Sequence, residues 1–65
     1  MIEDLRKLIK EMQELINSDT LEKDDNVILG SNIGCLTTMI NYKVYLTNDI
    51  SEDLTLIKQD IENYK

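Results

Sequence analysis

The sequence predicts an all-α fold: a small three-helix domain, a helical hairpin with an additional N-terminal helix. Three observations predict it. Apolar residues recur three and four apart near both ends of the 65-residue chain, proline is absent, and the long middle stretch carries two apolar stripes at helical spacing.

Ile2, Leu5, Ile9, Met12 and Ile16 form the first stripe, flanked by Leu8 and Leu15, with Glu3, Asp4, Arg6, Lys7, Lys10, Glu11 and Glu14 on the opposite side. That pattern predicts an amphipathic helix over about residues 2–17. Asn17, Ser18, Asp19 and Thr20 follow, and their short polar side chains compete with the helical backbone for hydrogen bonds. Residues 19–25 are acidic, with one apolar side chain, Leu21, and read as a connector in which Asp24, Asp25 or Asn26 caps the next helix.

The middle helix is expected over about residues 25–47. Advancing about 100° per residue puts Leu29, Ile33, Leu36 and Ile40 in one stripe. Ile28, Cys35, Met39, Tyr42 and Leu46 form a second. Two stripes imply two neighbours, as a central helix requires. β structure competes, because Val, Ile, Thr and Tyr are frequent here and Gly30-Ser31-Asn32 and Asn41-Tyr42-Lys43 are candidate turns. Poor alternation in Val27-Ile28-Leu29 and Cys35-Leu36 favours the helix.

Asn48, Asp49 and Ser51 mark a loop or a kink, since Ile50 keeps step with the stripe that follows. A last helix over about residues 51–64 is expected, capped by Ser51, with Glu52 and Asp53 in its first turn. Its apolar side is Leu54, Ile57, Ile61 and Tyr64.

Residues 1–65 make a single domain, for which about 60% of the unfolded chain's surface is buried on folding. A core of that size supplies about 3–5 kcal/mol, so chains this short lean on disulfides, metals or self-association. Cys35 is the single cysteine and histidine is absent, which rules out an internal disulfide and the usual structural zinc site. A homo-oligomer is therefore expected, and Ile2, Leu5, Ile9, Met12 and Ile16 offer a coiled-coil-like seam.

The net charge of −6 repels nucleic-acid phosphate, so no direct nucleic-acid binding is expected. Acidity suits ordinary solubility, a basic protein partner, or mimicry of nucleic acid. The start mixes charges without an apolar signal region, and Asn32, Asn41, Ser31, Thr37 and Thr38 interrupt the least charged stretch. Neither secretion nor a membrane span is expected, and the unpaired thiol suits the cytoplasm.

An enzyme is not expected. Without histidine the chain lacks the commonest general base, and Cys35 falls mid-helix in an apolar stripe, where a buried small hydrophobe is the simple reading. The adjacent carboxylates Asp24-Asp25 and Glu52-Asp53 diverge by about 100° on a helix, so they do not converge on one centre. Calcium-loop and phosphate-loop patterns are missing as well, and no cofactor or metal is expected.

What stands out is a third face of the middle helix. Gly30, Ser31, Gly34, Thr37, Thr38, Asn41, Tyr45 and Asn48 share an arc that neither stripe occupies, and none is charged. Gly30 and Gly34 admit close approach of another backbone, and Thr38, Asn41 and Tyr45 offer hydrogen-bonding groups. Solvation of that face and packing of the glycines within the monomer are the alternatives. Tyr42, Lys43 and Tyr45 form a second candidate, in which a base stacks on a ring and Lys43 meets a phosphate; core membership for Tyr42 and rim exposure for Lys43 are the competing reading.

The function expected is that of a small acidic non-catalytic interaction protein that occupies a partner protein, as an inhibitor or adaptor does. Two alternatives are a homo-oligomer sequestering a small anionic ligand such as a nucleotide at a subunit interface, and an acidic nucleic-acid mimic. Small size, acidity and richness in Ile, Asn, Lys and Asp are compatible with an accessory protein of a phage or mobile element.

Overall fold

A computed structural model describes residues 1–64. It contains helices α1 (Ile2–Asn17), α2 (Lys23–Asn41), α3 (Val44–Thr47) and α4 (Ser51–Asn63), with no strand among the described residues. The chain is thus all-helical, and the β alternative for the middle stretch does not hold. The middle helix is not continuous over 25–47, however. It starts earlier, at Lys23, with Glu22 in the capping position, so Asp24, Asp25 and Asn26 lie inside its first turn instead of before it.

α2 stops because Lys43 adopts a left-handed backbone conformation, φ 55° and ψ 34°. The amides of Tyr42 and Lys43 close the last turn on the carbonyls of Thr38 and Ile40. α3 is a single turn, and Asn48 then leaves it in an extended conformation. Asn41-Tyr42-Lys43, read as a turn only under the strand alternative, is a turn between helices. A lysine in the left-handed region costs about 1–2 kcal/mol, so the break is imposed by packing on both sides and not by local preference.

α1 and α2 are joined by the short connector 18–22, in which Asp19 also takes positive φ, 57°. Aspartate tolerates that conformation better than most residues, which suits a chain reversal. The two helices form the most intimate pair in the fold. α4 packs more lightly on both. It runs antiparallel to α2: Asn32 Nδ2 donates to Asp60 Oδ2 at 3.0 Å, and the Tyr64 hydroxyl donates to Asp25 further along.

Burial follows the stripes of α1 and α4. Leu5, Leu8 and Met12 are buried from α1, and Leu54, Ile57 and Ile61 from α4. α2 contributes only Leu29 and Leu36, with Ile33 and Ile40 partly buried beside them. The isoleucine seam of α1 is used in this core, since Ile9 and Ile16 pack against it. Ile50 is buried too, although it stands in a loop and not on a continuing helix.

Ser51 does not cap α4 as its hydroxyl suggested. Asp49 does that work: its Oδ1 accepts the Ser51 amide at 3.0 Å and the Ser51 hydroxyl at 2.7 Å. These two bonds, the hydroxyl's first, hold the Asp49 carboxyl below its ordinary pKa of 3.8. At the other end of α4, desolvation and then the bond to Asp25 raise the Tyr64 phenol above its ordinary 10.0.

The two groups act at opposite ends of the pH range. Asp49 has a lower pKa folded than unfolded, so its contribution is present above pH 3.8 and is lost as pH falls through the folded value. Tyr64 is raised, so its contribution is present below pH 10.0 and is lost as pH rises through the folded value. In an NMR titration, the Asp49 side-chain carbon is expected to turn over below 3.8 and the Tyr64 ring above 10.0. An Asp49 midpoint at or above the ordinary value contradicts the cap.

Candidate contact face

The core side of α2 is set by Leu29 and Leu36, and at about 100° per residue the opposite half carries Val27, Gly30, Ser31, Gly34, Thr38 and Asn41. All of them are exposed. From Val27 to Asn41 the helix has no charged residue on any side, which is unusual for a free face in a protein of net charge −6.

Gly30, Gly34, Thr38 and Asn41 come together as one strip, spaced four, four and three residues apart. A Cβ built on either glycine meets nothing within 4 Å. The glycines therefore serve no packing inside the monomer. The hydroxyls of Thr37 and Thr38 donate to the carbonyls of Ile33 and Gly34, at 2.7 and 2.9 Å. Their donors are thus satisfied within the helix, and what the strip presents outward is small and largely without hydrogen-bond demand.

Tyr42, Lys43 and Tyr45 straddle the end of α2 and the start of α3. Tyr42 is 78% exposed, not a core residue. Tyr45 is partly buried and packs against the core, and Lys43 stands between them at the helix break. The turn places the two rings in different surroundings, Tyr42 exposed beside Lys43 and Tyr45 against the core.

The second stripe is also corrected. Ile28 is 42% exposed, Leu46 67% and Cys35 is exposed as well, while Met39 alone is drawn partly into the core. Cys35 is not a buried hydrophobe. The hairpin with α1 occupies one side of α2 and α4 takes its edge, leaving the second stripe uncovered. Val27, 63% exposed, extends this surface and was not singled out by its position in the sequence. The seven-residue spacing of Ile28, Cys35 and Tyr42 is the signal that marks the stripe.

No family model matches the chain, and no curated protein or solved structure matches it. Among the described residues, no group of three or more histidine, cysteine or carboxylate side chains is placed to hold a metal ion, and no helix is long and apolar enough to cross a membrane. The groove between α1 and α4, lined by Asp4, Lys7, Glu11, Lys58 and Glu62, mixes charges of both signs over an apolar floor at Leu8.

Proposed function

We propose that this chain is a non-catalytic interaction protein that acts by occupying a partner protein, with the glycine strip of α2 as its recognition surface. The observation that carries this is the open space at Gly30 and Gly34. Each glycine inside a helix costs about 0.8–1.0 kcal/mol relative to alanine, and nothing in the monomer is gained in return. A partner helix or backbone edge seated on the strip supplies the missing reason, because the absent side chains let it approach closely.

The uncharged character of the strip favours this contact over nucleic-acid mimicry, which needs acidic side chains on the contacting face. Sequestration of an anionic ligand finds less support, because Tyr45 is partly buried against the core. Inhibitor or adaptor action in the cytoplasm suits the reading, which requires no cofactor.

The test pairs the immobilised chain with its Gly34→Glu variant against soluble proteins of its source. A charge and a long side chain in the middle of the strip are expected to lower partner capture at least tenfold while far-UV circular dichroism stays unchanged. Equal capture by both chains defeats the reading. Native mass spectrometry of the purified chain completes it: a small-molecule adduct transfers support to sequestration.

A further inference from the structure

We infer that the exposed apolar stripe of α2 is covered by a second copy of this chain, packed antiparallel about a two-fold axis near Cys35. The inference accepts the outer face of α2 as a contact surface but concerns an arc that adjoins the glycine strip and shares Thr38 with it. Ile28, Ser31, Cys35, Thr38 and Tyr42 follow one another at intervals of three, four, three and four. That is the seam spacing of two helices wound on each other, a period of 3.5 residues. All five are exposed. Among the described residues, four of the six exposed large hydrophobics lie in this region, Val27 and Ile28 on α2, Tyr42 in the turn after it and Leu46 on α3.

Charge selects the occupant. In a two-fold contact the same patch stands on both sides, so any net charge on it faces its own copy. For a protein of net charge −6, self-association is least opposed through a surface without net charge, and residues 26–42 are its longest uncharged run. A basic partner, by contrast, is drawn to the acids, which lie elsewhere.

Charge also selects the direction. Glu22, Asp24 and Asp25 surround the start of α2, while Lys43 follows its end. Parallel pairing sets acid against acid; antiparallel pairing brings the acidic start of each helix toward the partner's Lys43 and opposes the helix dipoles favourably. Side-chain size agrees, because Ser31, Cys35 and Thr38 in the middle allow close approach and the larger Ile28 and Tyr42 seal the two ends.

The experiment is sedimentation equilibrium from about 1 μM to 1 mM, with cross-linking in a Cys35→Ser background. A mass of twice 7.6 kDa is expected. Ile28→Glu is expected to return the monomer with its helicity kept, whereas Leu56→Glu, on an exposed side chain of α4, leaves the dimer. In antiparallel pairing, a mixture of Ile28→Cys and Tyr42→Cys chains cross-links through a short bismaleimide. Either variant alone does not, its like cysteines standing about 21 Å apart along the helix. A monomer throughout, a dimer unaffected by Ile28→Glu, or cross-linking of either single variant overturns the inference. A monomer that still captures its partner in a Gly34-dependent way leaves the proposed function standing and removes only the self-pairing.

Discussion

Replacing Leu36 by alanine is expected to leave the chain largely unfolded at room temperature. Leu36 is fully buried, and it is one of only two buried residues that α2 contributes to the core. Leucine-to-alanine changes at such sites cost about 2–5 kcal/mol, the lost transfer energy plus the cavity left behind. A core of this size supplies about 3–5 kcal/mol in total, so the substitution removes most or all of it. The monomer has little in reserve, because the side-chain oxygen of Asn26 is buried without a hydrogen-bond partner, an added cost of about 1–3 kcal/mol. Urea titration followed by circular dichroism measures the effect. Leu56→Ala is the control: Leu56 is 54% exposed and its truncation is expected to stay within about 0.5 kcal/mol. Equal losses at the two positions contradict the core described here.

The double change Gly30→Ala and Gly34→Ala is expected to act in the opposite direction on stability. Both positions lie inside α2 with negative φ and open space where the methyl goes, so alanine adds helix propensity without a clash. The gain is about 1–2 kcal/mol for the pair. In a domain of this length each kcal/mol raises the melting temperature by roughly 4–8 °C. Binding is expected to fall at the same time, since two methyl groups hold a partner backbone away from the strip. Greater stability with weaker capture separates a contact role from a structural one, because a glycine needed by the fold loses stability when replaced. A double variant that melts lower than the parent overturns the reading of these glycines, and one that melts higher and binds as before overturns the strip.

Much of the fold was legible because α1 and α4 each have a single neighbouring layer. A helix covered on one side must segregate its apolar residues, and Leu5, Leu8 and Met12, like Leu54, Ile57 and Ile61, are found where the spacing puts them. The middle helix was harder to read. Its apolar residues spread over two stripes, a pattern that fixes the number of contacts it wants but not which contacts lie inside the monomer. The stripe of Leu29 and Leu36 went to the core, and that of Ile28, Cys35 and Tyr42 did not. Periodicity is the same for a stripe that meets its own chain and for one that meets another.

The break at Lys43 was hidden for a related reason. No glycine or proline marks it, and the apolar spacing runs on through Leu46. Its position follows from the packing of Tyr45 and Ile50 against the core, which a straight continuation of α2 does not provide. The same turn puts Tyr42 in solvent and Tyr45 against the core.

Residue order by itself determined the helical class, the faces of the outer helices and the absence of charge between Val27 and Asn41, since these are properties of local spacing and composition. Tertiary structure alone decided which stripe of α2 is buried, that Cys35 and Tyr42 face outward, and that Gly30 and Gly34 have empty space before them. Burial is a relation between segments distant in the chain, and it is settled only when α1 and α4 take their places beside α2.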